Sequence, residues 1–256
     1  MKVINKAVIP AAGLGKRMQP LSSYISKPML PLGKKPVLHH IVDEIRAAGI
    51  TEILILARSE HQSLRDYFKE DSDITIETDD SAGGPGEAVL AGKEFVGDDP
   101  FLVVFSDAPL SGKKSEKVIR EMVEIFQCHS PECLMSIYPI PKEEAASRGV
   151  VSIAEKKEER LFQIESIMEK PDTVNISQPK ASACRYLFTS KLFDALRKAE
   201  RDQEGELQVT AGVNNLLVAG RDVLGISLPE GIERHDTGNF EGYNSAVQTY
   251  LMNETF

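Results

Sequence analysis

The stretch Lys6–Pro20, KAVIPAAGLGKRMQP, joins a short apolar run to a loop that holds two glycines and two adjacent cations. An unbroken apolar run such as Ala7–Ile9 is typical of a strand buried on both faces of a parallel sheet. Glycines directly after such a strand let backbone N–H groups approach phosphate oxygens, and Lys16 and Arg17 add positive charge. The stretch predicts the first strand of an α/β fold and, as a weak signal by itself, an anion-binding loop.

Two common phosphate-binding loops do not match this stretch. The dinucleotide-binding fingerprint requires a third glycine where Met18 stands, and no acidic residue follows the second predicted strand at the expected spacing. The Walker loop requires a glycine where Pro10 stands and Ser or Thr where Arg17 stands. A nicotinamide-dependent oxidoreductase is therefore the least favoured function.

Strand and helix patterns alternate in the part of the chain that follows. The strand patterns are KAVIP (6–10), EILILA (52–57), ITIE (74–77) and FLVVF (101–105), and the helical patterns are PVLHHIVDEIRAAG (36–49), SLRDYFKE (63–70) and GEAVLAGKEF (86–95). Pro36 marks a helix start and Gly49 a helix end. This order predicts right-handed βαβ units and a parallel sheet.

The pattern changes after Glu132, where three strand patterns follow one another without helices: CLMSIYPI, GVVSIAEK and LFQIESIMEK. Helical patterns return at SKLFDALRKAE and ELQVTAGVNNLLVAG, a short strand is predicted at VLGISL, and the helical pattern FEGYNSAVQTYLMN closes the chain. We therefore expect an α/β fold, a Rossmann-like three-layer sandwich with a mostly parallel mixed sheet and a small antiparallel subsheet. With no linker or repeat visible, residues 1–256 are predicted to form a single domain.

Charge and composition indicate which kinds of ligand and macromolecule the chain can bind. The formal net charge is −9, yet residues 1–42 carry seven basic side chains and no Asp or Glu. A cationic segment on an acidic protein favours a small polyanion over a nucleic acid. The chain has no apolar run of membrane-spanning length and no signal peptide, which predicts a cytoplasmic protein without a membrane partner. The three cysteines show no CxxC spacing and are predicted to be reduced packing residues.

Further motifs follow the opening stretch in order. They are SKPMLPLGKKPVLHHIVDEIRAAGITEILIL from Ser26, GPGEAVLAGKEFVGDDPFLVVFSDAPL from Gly84, MEKP from Met168, CRYLFTSKLFDAL from Cys184, GELQVT from Gly205 and HDTGNFEGYNSAVQTYL from His235. Together with IPAAGLG these segments resemble, essentially end to end, the sugar-1-phosphate nucleotidyltransferases. The match is closest to the bacterial UTP:glucose-1-phosphate uridylyltransferases, the UDP-glucose pyrophosphorylases.

The resemblance implies a reaction. An oxygen of a sugar-1-phosphate, here glucose-1-phosphate, attacks the α-phosphorus of a nucleoside triphosphate, here UTP, and pyrophosphate leaves. The implied cofactor is Mg²⁺, the implied partners are the two substrates, and the family members are often homo-oligomers. Because no covalent nucleophile is needed, the chemistry calls for cations, metal-binding carboxylates and backbone donors.

The resemblance also implies catalytic roles for the residues that match the family's motifs. Arg17 would meet the phosphates that leave as pyrophosphate, Lys27 would neutralise the triphosphate, and Lys170 would hold the sugar phosphate. Asp107 and Asp236 would hold Mg²⁺, which commonly takes one or two carboxylates. The alternatives are a turn role for Asp107 before Pro109 and an Asx turn at Asp236 before Gly238.

The binding roles are assigned in the same way. Glu169 and Glu206 would accept hydrogen bonds from sugar hydroxyls, and Cys184 stands at the sugar pocket where the family has glycine. The predicted nucleotide-binding residues are Ala11, Ala12, Gly13, Leu14, Gly15, Asp79 and Gly84.

The chain departs from the family's pattern at four positions. Lys16 replaces Thr, Cys184 replaces Gly and Ala211 replaces Asp. Asp79 stands where uridylyl- and thymidylyltransferases have a Gln that reads the pyrimidine, although a shift of one residue would place Thr78 or Asp80 there. An ionised Asp only accepts hydrogen bonds, so it suits the paired donors of guanine better than a pyrimidine carbonyl.

These departures leave alternatives open. The chain could use another base or sugar, with GTP, dTTP or N-acetylglucosamine-1-phosphate as substrates. It could also be a catalytically silent homologue that binds a nucleotide-sugar. Retention of the cations and carboxylates at Arg17, Lys27, Asp107, Lys170 and Asp236 argues against the silent homologue.

Overall fold

The structure, a computed structural model, describes residues 3–171 and 178–253. Its strands are β1 (Lys6–Pro10), β2 (Pro31–Leu32), β3 (Lys35–Pro36), β4 (Glu52–Ala57), β5 (Ile74–Thr78), β6 (Phe101–Val104), β7 (Leu110–Ser111), β8 (Cys133–Pro139), β9 (Gly149–Lys156), β10 (Leu161–Glu169), β11 (Lys180–Phe188), β12 (Val223–Ser227) and β13 (Glu233–Arg234). Its α-helices are α1 (Val37–Ala47), α2 (Gln62–Phe68), α3 (Pro85–Ala91), α4 (Lys93–Val96), α5 (Val118–His129), α6 (Lys191–Arg197), α7 (Val209–Val218) and α8 (Phe240–Asn253).

One sheet of nine strands runs through the molecule in the order β5-β4-β1-β6-β11-β8-β12-β10-β9. Its first four strands are parallel, with β1 between β4 and β6, so that Ala7 lies opposite both Ile53 and Leu102. β1, β4 and β6 consist mostly of apolar residues that are almost fully buried, as expected for strands covered on both faces, whereas the edge strand β5 is partly exposed. The predicted βαβ order is confirmed.

The second half of the sheet is mixed. β11 runs antiparallel to both of its neighbours, β6 and β8, whereas β12 is parallel to β8. β10 pairs antiparallel with β12 and with β9. The antiparallel part predicted after Glu132 is therefore present, but it is continuous with the large sheet; separate two-stranded sheets pair β13 with β7 and β2 with β3.

Helices cover both faces of the sheet and give three layers. Alternate residues of β1 face opposite sides, since Ala7 and Ile9 belong to the core beneath α1 and α5, and Val8 belongs to the core beneath α3, α6 and α7. The predicted three-layer α/β architecture is confirmed. No helix within the described ranges is long and apolar enough to cross a membrane.

The structure corrects the prediction in two helical regions. The segment GEAVLAGKEF, predicted as one helix, forms α3 and α4 with Gly92 between them. Glycine weakens a helix, and a Cβ at Gly92 would lie 3.2 Å from a Val8 methyl group, so the residue also lets the helix approach the sheet. No helix was predicted between Asp107 and Glu132, where α5 buries Val118, Ile119, Met122 and Phe126 on one face.

Candidate active site

The predicted nucleotide loop, residues 11–15, leaves the carboxyl end of β1 at the edge of the parallel strands. The Ala11 N–H donates to the carbonyl of Leu56 on β4 at 2.8 Å, which fixes the start of the loop. Gly15 lies in the left-handed region with φ 62°, and its carbonyl accepts from the Ser22 hydroxyl at 2.8 Å. Ligands of open α/β sheets bind at this edge, where the loop backbone is presented.

Asp107 follows β6 at the same edge of the sheet. Lys27 Nζ donates to Asp107 Oδ2 at 2.6 Å, and the backbone and hydroxyl of Thr237 both donate to the Asp107 carbonyl at 3.0 Å. Burial opposes ionisation of Asp107, but the ammonium of Lys27 prevails and holds the pKa of the carboxyl below its usual value. The side chain is therefore an ionised carboxylate paired with a cation.

Asp236 follows β13 and is almost completely buried. Its Oδ1 accepts from the Gly238 N–H at 3.0 Å, so the Asx turn given above as the alternative to a metal role is present. Its Oδ2 accepts from Arg148 Nη1 and lies 3.8 Å from Arg234 Nη1. Burial opposes ionisation, but Arg234 and then Arg148 lower the pKa of Asp236 to about 2.

Gly238 is the point at which these side chains converge. A Cβ built on Gly238 would lie 2.9 Å from Asp107 Oδ2, 3.0 Å from Asp236 Oδ1 and 3.1 Å from Arg17 Nη2. Arg17 itself is exposed, so that a ligand can reach its guanidinium. The fold therefore gathers the predicted residues Arg17, Lys27, Asp107 and Asp236 at one position.

The carboxylates of Asp107 and Asp236 face the same small space beside Gly238, and such a pair suits a hard divalent cation. Among the described residues no three His, Cys, Asp or Glu side chains form a group that could hold a metal ion by themselves. Mg²⁺ commonly uses one or two carboxylates and completes its shell with water and substrate phosphates. The space that a Cβ on Gly238 would fill, lined by Asp107 and Asp236, fits that requirement.

A buried ion pair supports the segment that follows Asp107. Arg185 on β11 donates from Nε and Nη2 to the two oxygens of Glu44 on α1, at 3.0 Å and 2.9 Å. Glu44 Oε1 also accepts from the Leu110 N–H at 3.1 Å. Burial raises the pKa of Glu44, and Arg185 opposes that shift. The pair joins a helix, a central strand and the segment beyond Asp107.

The predicted sugar residues Glu169 and Lys170 lie at the end of β10. The Lys170 N–H donates to the carbonyl of Arg148 at 2.9 Å, and the Thr210 hydroxyl donates to Glu169 Oε2 at 3.2 Å. Although Glu169 as a residue is exposed, desolvation of its carboxyl raises the pKa of Glu169 above the usual value. Arg148, which also contacts Asp236, thus links these residues to the carboxylate site.

The predicted positions Gly84 and Glu206 are neighbours in the structure. Leu207 N donates to the Gly83 carbonyl and Gly86 N donates to the Leu207 carbonyl, each at 2.7 Å. Gly84 has φ 92°, and a Cβ on it would lie 2.8 Å from the Cβ of Glu206. The close backbone approach requires glycine and brings the GPGEAV and GELQVT motifs together.

Asp79 and Cys184 lie apart from each other and contact different residues. Asp79 follows β5, and its Oδ1 accepts from the Ser81 N–H at 3.0 Å and the Ser81 hydroxyl at 2.6 Å. Cys184 has φ 64° on β11, and Arg234 Nη2 donates to its sulfur at 3.6 Å. Burial raises the pKa of the Cys184 thiol, whereas the neighbouring Arg234 lowers it.

The sequence reasoning missed two arginines of this site, Arg148 and Arg234. Arg234 stands two residues before Asp236, and this spacing places both side chains on one face of an extended segment. The intervening His235 faces the other way, with its Nε2 2.8 Å from the Ser111 hydroxyl. Arg148 immediately precedes β9 and carries no comparable signal in the sequence.

An α/β sheet whose strand ends gather two carboxylates, two cations and a glycine loop defines an enzyme that handles a nucleoside phosphate. The model of the nucleotidyl transferase family matches residues 6–253, and the chain belongs to this family.

Similar proteins agree with this class. A Bacillus subtilis (strain 168) protein, named provisionally as a UTP–glucose-1-phosphate uridylyltransferase, is 31% identical over 98% of both chains. A UTP–glucose-1-phosphate uridylyltransferase of Streptococcus pneumoniae serotype 4 is 28% identical over 97% of this chain and 91% of its own. A crystal structure of UDP-glucose pyrophosphorylase complexed with UDP-glucose has a TM-score of 0.90 and 26% identity, covering 98% of this chain and 100% of that one.

Proposed function

We propose that the chain acts as a single domain and transfers a uridylyl group from UTP to glucose-1-phosphate in the presence of Mg²⁺, with UDP-glucose and pyrophosphate as products. The observation that carries the proposal is the convergence of Asp107, Asp236 and Arg17 on Gly238, with Lys27 bonded to Asp107. The names of the similar proteins supply the base and the sugar.

The chain's cations handle the triphosphate in this proposal. Arg17 is exposed beside the two carboxylates, so its guanidinium binds the phosphates that leave as pyrophosphate. Lys27 holds Asp107 in place and neutralises charge on the triphosphate. A preorganised cation at the point where charge develops in a phosphoryl transition state contributes more than the same cation in water.

Asp107 and Asp236 would hold the divalent cation. Members of the family generally use such a cation, and Mg²⁺ is the one we assign here. When bound, it would neutralise charge on the phosphate oxygens and help to orient them. Ionised carboxylates are required for this role, and neighbouring cations lower the pKa of both Asp107 and Asp236.

The sugar phosphate occupies the side of the site formed by the end of β10. Lys170 binds its phosphate, and Glu169 accepts hydrogen bonds from sugar hydroxyls. Glu206 is a further acceptor, placed by the contact between Gly84 and residues 206–207. Attack needs no proton removed by a side chain, because the nucleophile is already an ionised phosphate oxygen.

The base and the sugar are tested together by a substrate panel. Purified protein with MgCl₂ is given UTP, dTTP, GTP or ATP with glucose-1-phosphate or N-acetylglucosamine-1-phosphate, and pyrophosphate release is measured. We expect the fastest release with UTP and glucose-1-phosphate. A strong preference for GTP would refute the uridylyl assignment and would favour base recognition by the acceptor-only side chain of Asp79.

The same assay separates an enzyme from a silent homologue. Asp107→Asn keeps the shape of the side chain but removes its charge, so we expect a loss of roughly 10²-fold to 10³-fold in kcat. Asp194→Asn, which changes an exposed carboxylate paired with Arg197, should retain wild-type activity. If the wild-type protein releases no pyrophosphate with any substrate pair, the chain is not the enzyme proposed here.

A further inference from the structure

Arg148 and Arg234 form a cationic group that the reaction scheme above leaves without a role. Arg148 Nη1 donates to Asp236 Oδ2, and Arg148 Nη2 lies 3.4 Å from Glu144 Oε2. Arg234 Nη1 lies 3.8 Å from the same Asp236 oxygen. Two guanidinium groups therefore share one buried carboxylate oxygen.

Arg148 and Arg234 have N–H groups for which the described residues around them offer no acceptor. Each guanidinium carries five N–H donors. The Nε atoms of Arg148 and Arg234 are buried, and neither has a hydrogen-bond partner within the described part of the chain. A buried donor without a partner is costly, so a site of this kind favours an additional anion. The two arginines differ in access, because the Arg148 side chain is 20% exposed and that of Arg234 only 7%.

Arg148 stands between the carboxylate site and the sugar residues. Its carbonyl accepts from the Lys170 N–H at 2.9 Å. The adjacent Gly149 is so close to the sugar side that a Cβ on it would lie 3.0 Å from Glu169 Oε2. At its other end the Arg148 side chain reaches Asp236. The backbone of Arg148 thus adjoins Lys170, while its side chain leads to Asp236.

We propose that Arg148 is a second binding residue for the phosphate of the sugar-1-phosphate, with the Asp236 carboxylate as its partner while the substrates are absent. In the free protein Arg148 competes with a divalent cation for Asp236. In the complex with substrates Arg148 pairs with the sugar phosphate, and Arg234, the more buried of the two, stays beside Asp236. The proposal rests on the function proposed above, because it requires a sugar-1-phosphate at Lys170.

The first test measures kinetics with Arg148→Gln, which removes the charge, and Arg148→Lys, which keeps the charge but loses the planar fork. At saturating UTP, Arg148→Gln should raise the KM for glucose-1-phosphate roughly tenfold or more, as expected for one lost charge-assisted hydrogen bond. The KM for UTP should stay within about twofold of wild type. Arg148→Lys should recover part of the loss, and it also serves if Arg148→Gln does not fold.

The second test does not depend on turnover. Binding of Mn²⁺ to the free protein is followed by electron paramagnetic resonance. We expect Arg148→Gln to bind Mn²⁺ about tenfold more tightly than wild type, because Asp236 has lost a competing partner. Arg197→Gln, which removes an exposed guanidinium paired with Asp194, is the matched control and should change neither measurement.

The outcomes separate the two proposals. An unchanged KM for glucose-1-phosphate, or a larger rise in the KM for UTP, would overturn the phosphate role of Arg148. Unchanged Mn²⁺ affinity would overturn its competition with the cation at Asp236. If wild-type protein shows no turnover in the substrate panel, the proposed function fails, while the Mn²⁺ comparison still tests the pairing of Arg148 with Asp236.

Discussion

Replacing Gly238 with Ala would place a methyl group in the space shared by the two carboxylates. The new Cβ would lie 2.9 Å from Asp107 Oδ2, 3.0 Å from Asp236 Oδ1 and 3.1 Å from Arg17 Nη2. These contacts are shorter than a carbon atom normally makes with oxygen or nitrogen, so at least one side chain must move. Asp107 is held by Lys27 at 2.6 Å, so its movement also disturbs an ion pair.

Gly238→Ala should lose activity without losing its fold. A displacement of a positioning group by about 1 Å can cost roughly 10²-fold in rate, which corresponds to about 2.7 kcal/mol of transition-state stabilisation. Overpacking of one methyl group costs about 1–3 kcal/mol of folding stability. We therefore expect Gly238→Ala to fold, to lose about 10²-fold in kcat/KM for pyrophosphate release, and to bind Mn²⁺ more weakly.

Gly220→Ala provides a control with a comparable cost in stability. Gly220 lies beyond α7 with φ 67°, and nothing would lie within 4 Å of a Cβ there, so Ala is strained without a clash. The strain costs of the order of 1 kcal/mol, and activity should be unchanged. If Gly238→Ala keeps kcat/KM within about threefold of wild type while remaining folded, Gly238 is not the centre of the site.

Three further predictions concern stability. Glu44→Ala should lower the free energy of unfolding by about 3–5 kcal/mol in urea titrations, because it leaves the completely buried Arg185 without its carboxylate; a loss below about 1 kcal/mol would contradict this. Cys184→Gly should be more stable than Cys184→Ala by about 1 kcal/mol in the same titrations, since only glycine relaxes φ 64°, and the reverse order would show that the backbone is unstrained. The hydrogen bond from Arg46 lowers the pKa of Asp73, so this pair stabilises the fold above the unfolded pKa of about 3.9 and its contribution is lost as the pH falls through the folded pKa. The stability difference between wild type and Asp73→Asn should accordingly shrink in acid, and a difference independent of pH would refute the assignment.

Local patterns were sufficient for the parallel half of the fold. The apolar run of β1 and the Pro36 and Gly49 signals around α1 lead directly to the observed elements. They were insufficient for β11, a central strand that pairs antiparallel with β6 and β8. Which strands become neighbours depends on contacts between residues far apart in the sequence, and those contacts leave no periodic signal.

The residues of the site also fall into those that the sequence predicts and those that it does not. Lys27 and Asp107 are 80 residues apart, and only the ordered motifs of the family linked them before the structure brought them to 2.6 Å. Asp236 was found by the same route. Arg148 was missed because an arginine in front of a strand looks like an ordinary surface residue, and its role depends on the buried carboxylate that it reaches.

The hairpin of β9 and β10 pairs Gly149 with Glu169 at its open end. Arg148 immediately precedes that pair and Lys170 immediately follows it, so both proposed contacts to the sugar phosphate belong to one continuous segment, 148–170. The groups around Gly238 come from other elements. Exchanging this hairpin for that of a relative would therefore change the proposed phosphate contacts and Glu169 together, while Cys184, Glu206 and the residues around Gly238 stay as they are.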